Sequence, residues 1–191
     1  MDEESFIEFF KQIEKLKTTI RHSWTSDKNR KESTAEHSWM LSMLALISLP
    51  KLGDNVDGLR ILKLSIVHDF TEALAGDIPT HDQTDSDDKQ KNERAAKEKM
   101  LSNLPDDIAK EIDDLWEEYE AQETRESKIV KALDKIEVGF QHNAADFSTW
   151  NDEDKGYPIN YAEKYSEIDP FLKELNRINM NWRKKKLSDG K

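Results

Sequence analysis

Ionisable residues occupy positions in this chain where apolar residues are expected. Between Ser33 and Leu49 the apolar residues recur at helical spacing, and His37 falls on the same stripe as Leu41 and Leu44, with Met40 beside it. In the segment from about Val56 to Leu74, Ile61, Leu64, His68 and Glu72 share one face, and Asp69 follows Leu62 and Ile66. Between Arg125 and Ala145, Asp134 stands between Val130 and Val138, next to the stripe Ile129, Leu133, Ile136 and Phe140. Two histidines and two acids on three helices therefore face a common interior.

An ionised carboxylate buried without a partner costs several kcal/mol or more. Each residue has an ordinary explanation taken singly: an interior histidine can be a hydrogen-bonded core residue, and Asp134 can pair with a lysine. The joint pattern calls for one explanation, and a divalent cation provides it by neutralising carboxylates while accepting imidazole nitrogens. His37, His68, Asp69 and Asp134 are the candidate ligands. The chain has no cysteine, so a thiolate site is excluded. A mixed N/O set suits Mn, Fe, Co, Ni or Zn better than Ca, with Mg also open. Glu72 lies one turn after His68 and projects into the same space, where it could move protons or orient His68.

The stretches ESTAEHSW, VHDFTEALAGDIPT and KALDK resemble the HD-domain metal phosphohydrolase superfamily, and more narrowly its 5′-deoxynucleotidase branch. The resemblance spans about residues 10 to 150. It implies an all-α bundle of about seven helices, one divalent metal on His37, His68, Asp69 and Asp134, hydrolysis of a phosphate ester, and in many members a homodimer. It also implies roles for Glu72 in proton transfer or water activation and for Asp77 as a second required acid. Read locally, Asp77 could instead cap the turn before Pro79. Arg30 matches the arginine that precedes the ES pair in this branch. Arg21 and Trp24 resemble an Arg/Trp pair that contacts phosphate and crowds the sugar 2′ position, although here the two are three residues apart rather than adjacent. An arginine fork suits phosphate because it grips two oxygens at once. His22, His81 and His142 fit no ligand pattern and are expected to face solvent or back up the site.

The leading functional expectation is removal of phosphate from deoxyribonucleoside 5′-monophosphates. The alternatives are an HD phosphohydrolase acting on a triphosphate or an alarmone, or a non-catalytic metal or nucleotide sensor.

The elements that must position these residues are all helical. Apolar spacing predicts helices over about Ser5–Ile20, Ser33–Leu49, Val56–Leu74, Lys89–Asn103, Pro105–Tyr119 and Arg125–Ala145, and a C-terminal helix over about 159–186. Ser33 and Glu36 have capping-box spacing. The polar stretches TSDKNRKES and THDQTDSDDKQ are expected to be loops. No strand of period two is apparent, and one domain over residues 1–191 is expected. The Lys184–Lys186 run is expected to be a solvated helix end.

Apolar and charged residues each make up 36% of the 191 residues, so the surface is densely charged while the clustered apolar positions still permit a core. The net charge of −11 argues against a broad nucleic-acid surface but not against a small phosphate ester. The acidic start and the short apolar runs predict no signal peptide and no membrane span, with a cytoplasmic location.

Overall fold

A computed structural model describes residues 3–53, 55–77 and 86–190. The longer helices are α1 (Glu3–Ile13), α2 (Thr34–Ser48), α3 (Gly58–Val67), α5 (Ser86–Leu101), α6 (Asp106–Ala121), α7 (Arg125–Ala144) and α10 (Pro170–Asp189). Short helices α4 (Glu72–Ala75), α8 (Asp152–Gly156) and α9 (Glu163–Ser166) fill the connections. The expected all-α class is what the described residues adopt, apart from one small ribbon.

That ribbon pairs β1 (Ile20–Trp24) with β2 (Lys31–Ser33), antiparallel. The expected first helix therefore stops at Ile13 and passes through a 3-10 turn, Glu14–Lys17, into a strand. None of the residues of α1 is buried, and Phe6 and Phe10 are exposed. Phe9, Ile13 and Leu16 form the inward face instead, against Phe70, Met100 and Trp116. The strands turn through Thr25–Arg30, where Asp27 accepts from Thr25 and Asn29 and Lys28 takes a left-handed backbone (φ 53°).

α2 begins as its sequence dictates. Ser33 caps the helix by accepting from the Glu36 backbone N–H, and the Glu36 carboxylate accepts from the Ser33 N–H at 2.9 Å. The main core lies where α2, α3, α6 and α7 meet, with Leu41, Ile61, Leu64, Ile129, Leu133 and Ile136 fully buried. Each such side chain contributes about 1.5–3 kcal/mol of burial. α7 is central, and α10 packs along it.

The C-terminal segment is two helices rather than one, because Asp169 caps a new helix at Pro170, where the proline ring is tolerated. Lys186 is not solvated. It is 9% exposed, and its Nζ donates to the carbonyls of Asn143 (2.8 Å) and Ala145, satisfying the end of α7. The acidic segment expected to be a loop becomes helical at Ser86, while Pro79 and His81 lie outside the described residues. Among the described residues no helix is long and apolar enough to cross a membrane.

Candidate metal centre and cavity

Three local features deliver the candidate ligands. α2 presents His37 on the face it buries. α3 ends at Val67, and the chain tightens, with Phe70 N–H donating to Val67 O and Glu72 N–H to Asp69 O. This i→i+3 spacing lets the consecutive His68 and Asp69, followed by Glu72, all reach one cavity. The Leu62 and Ile66 stripe does not carry Asp69 inward, since Ile66 is 61% exposed; the tightened turn does. α7 supplies Asp134.

The side chains converge. His37 Nε2 lies 3.2 Å from His68 Nε2, 3.7 Å from Asp69 Oδ2 and 3.4 Å from Asp134 Oδ1. His68 Nε2 lies 3.0 Å from Asp69 Oδ2. With metal–ligand bonds of about 2.0–2.2 Å, ligand atoms around one ion stand about 3–3.5 Å apart, so these spacings fit a coordination shell. The far nitrogens are occupied: His37 Nδ1 is 2.6 Å from Glu137 Oε2, and His68 Nδ1 is 2.9 Å from Ser65 O. Each ring is held with Nε2 towards the cluster. His37, His68 and Asp69 form a group able to hold a cation.

The electrostatics call for positive charge. Burial and Arg21 push the His37 pKa down, yet Glu137 and Asp134 outweigh them and hold it up at about 10. Burial opposes ionisation of Asp69 and Asp134, but His68 and Arg21 at the first, and Lys135 and His37 at the second, hold both well below the usual carboxylate range. Tyr119 donates to Asp134 Oδ2 at 3.1 Å, and Lys135 Nζ is 3.1 Å from the same oxygen.

Glu72 is a different kind of acid. Burial, then Asp69 and Asp77, push its pKa well above the ordinary value. Its Oε2 accepts from Thr34 Oγ at 2.9 Å and lies 4.0 Å from Arg21 Nη1. A carboxyl so placed can hold a proton beside the cluster. Burial works to lower the Arg21 pKa, but Asp69, Asp77, Glu72 and Glu32 overcome it and keep the guanidinium charged. Glu32 is buried with its own pKa raised to about 7 by burial and by Glu137.

The cluster opens into a cavity of about 540 Å³ whose walls include Arg21, Asp69, Glu72, Asp77, Asp134 and Lys135. Arg21 donates to Asp69 Oδ2 at 3.3 Å. Trp24 and Arg30 do not line the cavity. β1 directs Trp24 elsewhere, its carbonyl accepting from Gln141 at 2.5 Å, and Arg30 makes a two-pronged pair with Glu36 on the surface. His22 and His142 line it, away from the ligand cluster, and of the two expected placements they take the one beside the site. Glu137, Lys131 and Lys135 escaped the sequence reading, because a helical acid or lysine usually signals a solvated face. The KALDK segment was the one available signal for the two lysines.

A family model described as HD domain matches residues 13–176. The chain belongs to the HD-domain family. Among HD-domain relatives, a Xenopus laevis protein named 5′-deoxynucleotidase HDDC2 is 35% identical over 138 residues, covering 72% of this chain and 67% of that protein. The Dictyostelium discoideum protein of the same name is 34% identical over 143 residues, covering 72% and 75%. A crystal structure of a predicted metal-dependent phosphohydrolase from Magnetospirillum magnetotacticum superposes with a TM-score of 0.81 at 29% identity, covering 95% of this chain and 94% of that one.

Proposed function

We propose that this HD-domain chain is a metal-dependent phosphomonoesterase that removes phosphate from deoxyribonucleoside 5′-monophosphates. The observation that carries the reading is the convergence of His37 on His68, Asp69 and Asp134, the last three of which line a cavity that also holds Glu72 and Arg21. The relatives named 5′-deoxynucleotidase supply the substrate class.

In this reading the four convergent residues hold the ion. A divalent ion held there would supply Lewis-acid charge for the phosphoryl group and for lowering the pKa of the attacking water. Arg21 and Lys135 hold the phosphate oxygens within the cavity. Glu72 takes the proton lost by water as its oxygen bonds to phosphorus. The phosphorus–O5′ bond breaks, and the leaving oxygen takes a proton from solvent to become the hydroxyl on carbon 5′, while Glu72 returns its proton to solvent. Burial, Asp69 and Asp77, the last on the same cavity wall, together keep the Glu72 proton affinity high. Glu137 and Ser65 O hold the imidazole rings in place. Mn, Co, Fe, Ni, Zn and Mg all accept such an N/O set.

We also propose a cytoplasmic homodimer. The support for self-association is an apolar row on α2, where Trp39, Met43 and Ile47 are exposed one turn apart. The test of the enzymatic reading is a phosphate-release screen of the metal-loaded protein against nucleoside mono-, di- and triphosphates. Deoxyribonucleoside 5′-monophosphates should lead. Triphosphates far ahead of monophosphates would move the chain to a different substrate class.

A further inference from the structure

Three consecutive buried residues, Glu32, Ser33 and Thr34, join the ribbon to the cluster. Ser33 caps α2 by accepting from the Glu36 N–H, and Thr34 Oγ donates to Glu72 Oε2 at 2.9 Å. Glu32 takes no part in the chemistry described above, yet its side chain is 2% exposed. A carboxylate enclosed to that degree is uncommon, because burial disfavours the charged form, and it needs a partner.

The ribbon brings one to it. Ile20 pairs with Ser33, so the next residues on the two strands, Arg21 and Glu32, are neighbours. Arg21 Nε lies 3.6 Å from Glu32 Oε1, both atoms are enclosed, and neither has a hydrogen-bond partner. A small shift of either side chain closes that gap to a charge-assisted hydrogen bond. The other side of the guanidinium faces the cluster, where Nη1 donates to Asp69 Oδ2 at 3.3 Å and lies 4.0 Å from Glu72 Oε2. Arg21 lines the cavity and Glu32 does not. The guanidinium is thus suspended between one carboxylate behind it and two in front.

This placement answers two difficulties that Arg21 would otherwise meet. Its side chain is long and flexible, and Asp69, Glu72 and Asp77 all attract it. Drawn wholly onto them, it would have no free edge for a phosphate. Its charge also sits beside residues that would hold a divalent cation, and like charges repel. A carboxylate on the Nε side restrains the plane of the fork and offsets its charge without occupying the cavity. Glu137 stands behind His37 in the same manner.

We propose that Glu32 is the positioning residue for Arg21, holding the guanidinium from behind so that its Nη edge is presented to the substrate phosphate. The inference rests on the phosphohydrolase reading above and adds what aims the arginine of that reading.

The test is a double-mutant cycle between Glu32 and Arg21, read in two ways. One readout is KM and kcat for dAMP; the other is the Kd of inorganic phosphate titrated calorimetrically into the metal-loaded protein. Burial and Glu137 raise the Glu32 pKa to about 7, so measurements at pH 8 keep it ionised. Glu32→Ala should raise KM and the phosphate Kd about tenfold, the scale of a charge-assisted contact, with kcat within about threefold. Metal affinity, measured against a chromophoric chelator, should not move. Glu32→Gln, which keeps the shape and an acceptor for Nε, should recover most of the loss. In an Arg21→Ala background Glu32→Ala should cost nothing further, because the pair acts as a unit. Equal losses in both backgrounds, or KM and Kd within twofold of wild type in Glu32→Ala, would overturn the proposal. If Glu32→Ala loses its cooperative unfolding transition, the cycle run with Glu32→Gln decides by the same criterion. A wild type that binds phosphate with a non-additive cycle but hydrolyses no nucleotide overturns the phosphohydrolase reading and leaves the pairing in place. Hydrolysis with an additive cycle overturns the pairing alone, and neither binding nor hydrolysis overturns both.

Discussion

Glu137 backs His37: its Oε2 stands 2.6 Å from Nδ1, on the side of the ring opposite the convergent Nε2 atoms, and both side chains are buried. The carboxylate fixes the ring orientation and its tautomer, and it raises the basicity of Nε2. Glu137→Ala should weaken divalent metal binding about 10- to 100-fold, with Glu137→Gln in between because it keeps an acceptor. Competition against a chromophoric chelator measures this. An unchanged Kd would reduce Glu137 to a packing residue.

Metal content and activity should disappear together. Protein purified without chelator should hold about one divalent ion per chain, and stripping it should abolish phosphate release and lower Tm, because an ion bound only by the folded state stabilises that state. Asp134→Ala should prevent reloading. Elemental analysis that finds no metal, with no activity gained on adding Mn or Co, contradicts the assignment.

Glu72→Gln should retain the metal and lose about 10²-fold or more in kcat, the scale of a proton-transfer residue. Glutamine keeps the size of the side chain and can still accept from Thr34, so folding is preserved. Full kcat in this variant returns Glu72 to a structural role.

Arg21 and Arg30 should separate. Arg21 lines the cavity beside Asp69, whereas Arg30 is engaged with Glu36 at the surface. Arg21→Ala should raise KM about tenfold or more through loss of a charge-assisted contact. Arg30→Ala should leave KM within twofold and barely change stability, as expected for an exposed pair. A large KM effect from Arg30→Ala would mean that the 25–30 turn rearranges onto substrate.

His142 should leave a signature in stability against pH. Burial lowers its folded pKa to about 4 from an unfolded 6.5. As pH falls from 6.5 towards 4 the unfolded chain binds a proton that the folded chain refuses, so this residue makes stability decline over that window. His142→Gln should flatten the decline in denaturant midpoints measured between pH 7 and 4.5. A slope equal to that of the wild type would show that the imidazole titrates normally in the fold.

The sequence alone determined the helices that carry His37 and Asp134, the helix that leads into His68, and the candidate ligands themselves. Helical periodicity is local, and a histidine or aspartate on an apolar stripe conflicts with it visibly, as at His37, His68 and Asp134. The start of α2 was equally local, since Ser33 and Glu36 satisfy each other within one turn. Tertiary structure decided what meets across space. The ribbon from Ile20 to Trp24 with Lys31 to Ser33 is too short to show a period, and its pairing brings Arg21, His22 and Ser23 to the cavity while turning Arg30 away. Asp69 reaches the cluster through a tightened turn that no stripe announces. Glu137 looks like an ordinary surface acid on α7 until α2 is packed against it. His22 and Asp154 lie far apart in the chain and meet only because the C-terminal segment folds back along α7. A side chain's partners are fixed by packing between elements, and packing leaves no periodic trace in either element alone.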